Sequence, residues 1–547
     1  MTSIPLLVSD GLNLHVSKNI SPTEPCGATP ENACKTIADA VRVAESATES
    51  NHTIIIHGAK EQQSCYEVNS TISLANNYHF TSSNGTRACI KAASLGISWA
   101  FKTVASVTFK LAKVDFRGIG ILIGINQADK CSRNSSLLNV EISDVTISER
   151  WWHIIHSSGS LKTFVDVACA VVRINDINIV NQGDFDTKYI PSATPDDLFR
   201  FKDTRGEINN LIIKDSLVRG VLFIRNSALV INNVHFVNST VHDEILKMKD
   251  SWAATYVDAS HLKVNGLHFR NSNIHKVLTA SEGVLPSEKT NVHIENLSSI
   301  GNNTVNILVT PLTGTLTLKD VIFNGTIYQN CYNCVGALIY TRSSSSITLK
   351  NVLFENVRPN TDTYINYRGI IEAHGDIVLN NVTIRKSKYL EGIKASYSAN
   401  ITARDVYMVG NIGYGHLSLS DNTNVTMSNI YIDNAEYRDN YFEWNSVYLD
   451  CSRERMRIKN FNVKLRSGHK ACVHFYDDCS QKFQDFANVS CPDQYRPVSK
   501  RTGSVFFNEC TTCAKKEVNA SIKGTTSSIY VTVVTFLSFI LVQQTPN

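Results

Sequence analysis

A short pattern recurs along most of this chain and restricts the possible fold more than any other feature. In each copy, apolar and polar residues alternate on both sides of one Asn or Asp, as in Leu316–Phe323, Ile347–Phe354 and Ile377–Ile384. Thirteen copies follow one another at spacings of roughly 24 or 31 residues. Their central residues are Lys113, Asp144, Asp176, Asn210, Asn233, Gly266, Asn296, Asp320, Asn351, Asn381, Asp405, Asn429 and Asn460.

Alternation with a period of two on both sides of one polar residue predicts two short strands joined by a bend. One such unit cannot bury its apolar side alone, so successive units must stack. We therefore expect an all-β chain that forms a right-handed, single-stranded parallel β-helix of about 13 coils, roughly 60 Å long. Asn tolerates unusual backbone angles at the bends, and stacked Asn side chains can form a hydrogen-bonded ladder. Leucine-rich repeats and propellers fit the pattern less well.

The two ends of the stack need covering, because open strand edges aggregate. A short helix is predicted over Ala38–Ala47, beside a loop bracketed by Cys26 and Cys34. Six cysteines crowd the other end. The expected organisation is a leader or disordered segment over 1–25, an N-terminal cap with the first coils over 26–105, the β-helix over 106–465, a Cys-rich cap over 466–514, and a spacer with a hydrophobic tail over 515–547.

Cysteines and glycosylation sequons indicate the secretory pathway. The chain has 14 cysteines, and that number favours disulfides over thiols. We expect all of them to be disulfide-bonded: Cys26, Cys34, Cys65, Cys89, Cys131, Cys169, Cys331, Cys334, Cys451, Cys472, Cys479, Cys491, Cys510 and Cys513. Twelve Asn-x-Ser/Thr sequons are predicted to carry glycans. They are Asn51, Asn69, Asn84, Asn134, Asn238, Asn296, Asn302, Asn324, Asn381, Asn400, Asn424 and Asn488.

The C-terminal tail indicates membrane attachment. Ile529–Val542 is an uncharged run of 14 residues, shorter than the roughly 20 that a spanning helix needs. It suits a GPI-attachment signal, with Asn519 as the lipid-anchor residue. A short single-span anchor or a buried strand remains the alternative. The first residues, up to Leu14, lack the basic region and long apolar run of a secretory leader.

The overall charge argues against nucleic acid as a partner. Lys and Arg number 53 against 49 Asp and Glu, and no long basic run is present. We therefore expect the partners to be glycans or cell-surface proteins, with the membrane contacted through the tail.

Two stretches carry a resemblance to known proteins. Cys26-Gly27 followed by Cys34–Ala40 resembles the opening of many pectin-lyase-like right-handed β-helix surface proteins. Val335–Leu338 followed by Phe354–Asn356 is similar to the repeat of polymorphic outer-membrane proteins, although the first Gly is Val335 and the Phe–Asn spacing is one residue short. This resemblance implies surface adhesion or polysaccharide contact rather than a defined reaction.

β-Helix enzymes mostly cleave acidic polysaccharides, so their catalytic residues deserve a comparison. The chain resembles polygalacturonase-like hydrolases in the order of Asn360–Asp362, Gly415-His416 and Arg457–Lys459. These segments give Asp362, His416 and Lys459 as weak catalytic candidates. The pair of Asp residues that the mechanism needs is replaced by Asn380-Asn381, and Leu417 follows His416 instead of Gly.

A calcium site is expected only if the chain is a lyase. The acidic residues that could hold the ion lie in one charged loop, with Arg200, Lys202 and Arg205 as neighbouring bases. The candidates are Asp184, Asp186, Asp196, Asp197 and Asp203. A solvated loop is the simpler interpretation, and no other cofactor or metal is expected. The pairs Cys331–Cys334 and Cys510–Cys513 are too far apart in sequence for a zinc site, so disulfides are favoured.

These observations favour a non-enzymatic, glycosylated stalk at the extracellular face of the plasma membrane, or secreted, that recognises glycans or partner proteins. A secreted pectin-lyase-like hydrolase or lyase is the alternative.

Overall fold

The computed structural model describes most of the chain between residues 11 and 510. The described residues are 11–20, 25–58, 65–83, 87–94, 97, 99–103, 107–124, 137–148, 163–180, 197–218, 220–249, 261–281, 290–309, 314–328, 337–341, 345–359, 369–396, 400–420, 424–437, 447–450, 455–465, 473–476, 483–490, 497–502 and 505–510. Within them, one α-helix, α1 (Ile37–Glu45), and one 3-10 turn (Pro30–Asn32) accompany a large set of strands.

The first strands in chain order run to the middle of the molecule. They are β1 Leu12–Val16, β2 Asn51–Ile56, β3 Tyr66–Val68, β4 Ile72–Leu74, β5 Asn77–Ser82, β6 Ala88–Ala92, β7 Trp99–Thr103, β8 Thr108–Ala112, β9 Val114–Arg117, β10 Gly120–Gly124, β11 Leu138–Ser148, β12 Val165–Ala168, β13 Ala170–Val180, β14 Phe199–Lys202, β15 Arg205–Lys214, β16 Leu217–Val218, β17 Leu222–Arg225, β18 Ala228–Val237, β19 Thr240–Lys249 and β20 His261–Arg270.

The remaining strands continue to the end of the described chain. They are β21 Asn273–Ser281, β22 Thr290–Ile300, β23 Thr304–Val309, β24 Gly314–Asn324, β25 Ile327–Tyr328, β26 Ile339–Thr341, β27 Ser346–Glu355, β28 Arg358–Pro359, β29 Ile371–Ala373, β30 Asp376–Arg385, β31 Lys388–Ala395, β32 Asn400–Val409, β33 Ile412–Leu419, β34 Asn424–Tyr437, β35 Val447–Asp450, β36 Met456–Leu465, β37 Val473–Tyr476, β38 Phe483–Ser490, β39 Pro497–Thr502 and β40 Val505–Cys510.

Strand pairing links equivalent segments of successive coils. Among the described residues, 38 strands join one sheet system in which the pairings are parallel, and only β39 and β40 pair antiparallel. A long strand such as β24 lies between β22 of the preceding coil and β27 of the following coil. This is the arrangement of a parallel β-helix, as the repeat predicts.

The interior is built from columns of like residues. Leu318 lies in register with Ile294 on one side and with Leu349 on the other, and all three side chains are buried. Because each coil repeats the same alternation, every inward side chain packs between those of its two neighbours. Burial of this continuous column stabilises the stack, and each apolar side chain contributes about 1.5–3 kcal/mol.

All thirteen central residues of the repeat adopt left-handed backbone angles, with φ between 51° and 84°. This conformation lets the long strand turn at one residue while the alternation continues on both sides. Asn and Asp tolerate it better than other side chains, which explains their prevalence at the bend. At one bend glycine takes this place, and Gly266 has a φ of 84°.

Asn side chains at the bend form the expected ladder between coils. Asn210 donates its Nδ2 to Oδ1 of Asp176 at 2.8 Å, and Asn233 donates in turn to Asn210 at 3.1 Å. The same arrangement of two successive hydrogen bonds, each a rung of the ladder, joins Asn381 to Asn351 and Asn351 to Asp320. It also joins Asn460 to Asn429 and Asn429 to Asp405. In every one of these described rungs the later coil donates to the earlier one.

The described N-terminal region begins earlier than the sequence suggested. Strand β1 pairs in parallel with β2 and buries Leu14 and Val16, although it falls in the segment expected to be a leader or disordered. This corrects that boundary, and the physical reason is the alternation of inward Leu and Val with polar residues. The predicted helix is present as α1, and it contacts β1 and β2.

Two disulfides have both partners in the described region. Cys26 is bonded to Cys34, which closes the loop before α1, and Cys65 is bonded to Cys89. Cys169 is also disulfide-bonded. Cys131, Cys331, Cys334, Cys451, Cys472, Cys479, Cys491 and Cys513 lie outside the described residues.

The stack also extends past the predicted C-terminal boundary at 465. Strand β36 pairs in parallel with β38, and β35 pairs with β37, so the coils continue into the segment expected to be a Cys-rich cap. The β39–β40 hairpin follows. The tail, including Asn519, lies outside the described residues. No helix in the described part of the chain is long and apolar enough to cross a bilayer.

Candidate functional site

A shallow depression lies on the outer face of the sheet that contains the bend ladder. It has a volume of about 610 Å³ and is open to solvent. Its lining comes from five consecutive coils: His268, Asn296, Leu297, Ser298, Asp320, Ile322, Asn351, Val352, Leu353, Asn381, Thr383 and Arg385.

Two columns of side chains form this groove. The first is the bend column, to which Asp320, Asn351 and Asn381 belong. The second lies two residues later, where Ile322 is in register with Leu353 and Leu353 with Thr383. Alternation along the strand turns both columns outward, and the left-handed bend between the two halves of the strand makes the surface concave.

The amides of the bend column keep unused hydrogen-bonding capacity. Asn351 gives one N–H to Asp320 and accepts one hydrogen bond from Asn381. An Asn side chain has two N–H donors and two acceptor lone pairs, so one donor and one acceptor remain for a ligand. Asn351 therefore offers a donor and an acceptor, and Asp320 one coil earlier, at the strand spacing of about 4.8 Å, offers acceptors only.

The charged groups of the groove are balanced within the protein. Asp320 lies 3.5 Å from Lys319, and Lys319 also pairs with Glu295. Arg385 pairs with Glu355 at 2.8 Å. The groove thus presents little net charge to a ligand.

A histidine at one end of the groove has a lowered pKa. The His268 ring stacks on His235 with centroids 4.7 Å apart, and its Nδ1 lies 2.7 Å from Ser298 Oγ. Burial, together with the positive charge that His235 can carry, lowers the pKa of His268 below its ordinary value of 6.5.

A second polar cluster lies on β26, β29 and β31, on the other sheet of the coil. Lys394 contacts Glu391 at 3.1 Å and Glu372, from the preceding coil, at 3.8 Å. Burial raises the pKa of Glu391, an effect that the Lys394 charge opposes and Glu372 reinforces. Two carboxylates from neighbouring coils thus share one cation in a partly buried setting.

A hydroxyl–imidazole–carboxylate chain continues from this cluster. His374 Nε2 lies 3.3 Å from Glu372, and His374 Nδ1 lies 3.4 Å from Ser396 Oγ. Ser396 is almost completely buried, so its hydroxyl is shielded from solvent. The Tyr340 ring meets His374 edge-on, with centroids 5.5 Å apart.

The sequence did not reveal this cluster, because its members are joined only by the register between coils. Tyr340, Glu372 and Lys394 occupy equivalent positions in three successive strands. The spacing between Glu372 and Lys394 is close to the length of a short coil, which is the one signal that could have indicated their contact.

The catalytic candidates from the polygalacturonase resemblance are not brought together where the structure describes them. His416 is completely buried on β33, and its Nδ1 lies 2.7 Å from Tyr389 Oη. Lys459 is exposed on β36, immediately before the bend at Asn460. Asp362 lies outside the described residues. His416 is therefore a core residue, since its ring has no exposed surface for a substrate.

The charged loop suggested for calcium is described only at its end. Asp197 and Asp203 are both buried, and Asp197 lies 3.6 Å from Arg200. Burial raises the pKa of Asp203, although Asn226 donates to its carboxylate. The described residues contain no group of His, Cys, Asp or Glu that could hold a metal ion. Asp184, Asp186 and Asp196 lie outside them.

Most of the sequon asparagines in the described region face solvent. Asn51, Asn69, Asn238, Asn296, Asn302, Asn381 and Asn400 are exposed, and Asn324 and Asn424 are partly exposed. Asn488 lies on β38, and Asn84 and Asn134 fall outside the described residues. Two of the exposed sequon residues, Asn296 and Asn381, line the groove.

Comparisons with known proteins identify no family for this chain. No protein-family model matches it, and no curated protein matches it. A solved structure that resembles it is a mutant of the PL6 family alginate lyase AlyGC, with 8% sequence identity over 83% of this chain and 99% of the lyase chain. The TM-score is 0.16, too low for the likeness to bear on function.

Proposed function

We propose that this chain is a rigid β-helical recognition protein whose groove binds a linear, uncharged glycan. The groove's combination of unused amide groups, exposed aliphatic side chains and internally balanced charge carries this proposal. Sugar hydroxyls match the amide donors and acceptors, and the apolar faces of sugar rings match Ile322 and Leu353.

The spacing of the groove favours a glycan over a peptide. The ladder amides repeat at the strand spacing of about 4.8 Å, while side chains on one face of an extended peptide repeat about every 6.6 Å. A linear glycan has one ring per repeat, of a length close to the strand spacing. Balanced charge also disfavours acidic polysaccharides, which require a surplus of cations.

A glycan array probed with the purified chain tests this function. We expect neutral linear oligosaccharides to bind and acidic ones not to bind. Ile322→Asp places a charge in the groove and should reduce binding at least about tenfold, or about 1.4 kcal/mol. Binding of acidic glycans only, or of none, would contradict the proposal.

Ile212→Asp is a matched control for the groove variant. Ile212 occupies the same outward column several coils earlier and is 39% exposed, against 41% for Ile322. We expect Ile212→Asp to retain wild-type glycan binding, while both variants keep the same thermal midpoint. Equal loss of binding in the two variants would point to a general effect of the added charge.

The proposed setting is the extracellular face of the plasma membrane, with disulfides, N-linked glycans and a C-terminal lipid anchor at Asn519. Mass spectrometry of the native mature protein tests each of these modifications. The groove adds a requirement that departs from the sequence prediction at two sequons: Asn296 and Asn381 must carry no glycan, because a sugar at either would fill the depression. A glycan attached at either residue would overturn the groove proposal.

A polysaccharide hydrolase or lyase is the second candidate, because of the Glu372–Glu391–Lys394 cluster. Hydrolysis of a glycosidic bond needs one protonated carboxyl group as acid and one carboxylate as base or nucleophile. The raised pKa of Glu391 suits the acid, and Glu372 suits the second role. In a lyase, Lys394 would be the base.

Release of reducing ends or unsaturated sugars from a panel of polysaccharides tests this alternative. If the cluster is catalytic, Glu391→Gln should abolish product formation. Glu67→Gln is the control, since Glu67 also pairs with a lysine, Lys91, at 3.1 Å but lies on the exposed surface. Equal activity in wild type and Glu391→Gln would exclude catalysis by this cluster.

A further inference from the structure

The outward column that forms one side of the groove continues beyond it. Thr383 is in register with Tyr407, Tyr407 with Tyr431, and Tyr431 with Asn462. The column therefore passes from aliphatic side chains, Ile322 and Leu353, to a pair of aromatic side chains two coils farther along the molecule.

The two tyrosines form an ordered pair. Their rings are nearly parallel, with an angle of 4° between the planes and centroids 5.3 Å apart. Both side chains are partly exposed, and within the described residues neither hydroxyl has a hydrogen-bond partner. Two partly exposed phenol rings thus lie about one strand spacing apart, on the strands that carry the Asp405–Asn429–Asn460 ladder.

Charge around the pair resembles that of the groove. Arg404 lies 3.2 Å from Asp405, so the carboxylate at this bend is also balanced within the protein. Tyrosine combines an apolar ring with a hydrogen-bonding hydroxyl and has little conformational freedom to lose on binding. The surface therefore repeats the amphipathic character of the groove on the next two coils.

We propose that Tyr407 and Tyr431 are a second subsite for the glycan that occupies the groove, an inference that rests on the proposed function. The ligand then lies along the helix axis and contacts both subsites. From Ile322 to Tyr431 the column advances four coils, about 19 Å at the usual strand spacing. Only a glycan of several rings reaches both subsites, so affinity should rise with chain length.

Calorimetric titration of the full chain with size-graded cello-, manno- and malto-oligosaccharides, from dimer to octamer, tests the second subsite. We expect one series to bind, with affinity rising until the oligomer spans both subsites. The Tyr407→Ala/Tyr431→Ala double variant should weaken the octamer about tenfold, or about 1.4 kcal/mol, and leave the shortest binding oligomer unchanged. The Tyr407→Phe/Tyr431→Phe variant should lose less affinity for the octamer than the alanine variant does, because it keeps both rings.

A matched control comes from the same two strands. Thr402 and Thr426 lie before the bend on β32 and β34, in register with each other and away from the tyrosine column. The Thr402→Ser/Thr426→Ser variant, which keeps the sequons at Asn400 and Asn424, should bind all oligomers like the wild type. Melting temperatures of the variants report whether each one is folded.

The outcomes separate this inference from the proposed function. Wild-type affinity that does not depend on length, or an alanine double variant that binds the octamer normally, would overturn the second subsite and leave the groove intact. Failure of the wild type to bind any oligomer would overturn both proposals.

Discussion

Asparagine at the bend has two physical roles in this molecule. Its backbone adopts the left-handed conformation, and its amide joins the coil to its neighbours. Asn210 shows both, with a φ of 57° and hydrogen bonds to Asp176 and Asn233. An alanine could perform neither role at low cost, because Cβ disfavours the conformation and the amide is lost.

Substitutions at Asn210 should separate these two roles. Asn210→Ala should lower the free energy of unfolding by about 2 kcal/mol, because the backbone strain of the left-handed conformation adds to the loss of the ladder hydrogen bonds. Asn210→Gly should lower it by about 1 kcal/mol, because glycine adopts the conformation freely but makes no rung. Urea denaturation measures both values, and an alanine variant as stable as the glycine variant would show that strain at the bend is unimportant.

At the scale of the element, strand β1 is held by a contact that depends on pH. His15 Nδ1 lies 3.0 Å from His57 Nε2, so at least one ring must be neutral. Burial and the His57 charge lower the pKa of His15 below 6.5, while Glu31 opposes the shift. Lys18 and Tyr66 lie at the same end, where Tyr66 Oη donates to the His57 carbonyl oxygen.

Acidification should therefore loosen β1. Because folding lowers the pKa of His15, the unfolded chain binds more protons, and the stabilisation present at neutral pH is lost as the pH falls below about 6.5. Hydrogen exchange of Leu12–Val16, corrected for its intrinsic rate, should speed up from about pH 7 to about pH 5. His15→Gln should flatten this response, and an unchanged response in that variant would assign it to another group.

The sequence predicted those elements that depend on a local pattern. Alternation around one polar residue was enough to locate the thirteen bends, because each bend is decided by its own side chain. The pattern missed a second left-handed corner, as at Asp215 and Asn238, where a buried serine follows each residue. There the signal is only a small polar residue, which is also typical of ordinary turns.

The candidate site was much less predictable than the bends. Ile322 and Leu353 could be recognised as outward positions, but the depression depends on side-chain size in five adjacent coils. The Glu372–Glu391 cluster depends on the register between neighbouring coils. Sequence reasoning identified His416 instead, because it matched a motif without information on which face of the strand was buried.

At the scale of the whole molecule, stability should be local. Each coil contacts mainly the coils before and after it, so unfolding one end need not disturb the other. The Cys65–Cys89 disulfide closes a separation of 24 residues in the first coils. Its removal should cost those coils about 3 kcal/mol.

Hydrogen exchange of the Cys65→Ala/Cys89→Ala variant tests local stability. Peptides from β2 to β6 should exchange faster, while those from β30 to β36 should keep the wild-type rate. Asn210→Ala is the reciprocal control, and its faster hydrogen exchange should be centred on β13, β15 and β18. Uniform acceleration along the whole chain in either variant would indicate a single cooperative unit.

The direction of the bend ladders has a consequence for how such a molecule can change its length. A carboxylate can only accept, and each three-residue ladder described for the bend column starts at an aspartate, as at Asp320 and Asp405. Excision of residues 320–404 would bring Asp405 directly after Lys319 and keep the inward alternation in phase. A rod shorter by three layers would result, with its ends unaltered and its groove gone. Gene rearrangements that add or remove such blocks would thus change the length of the rod and its groove together.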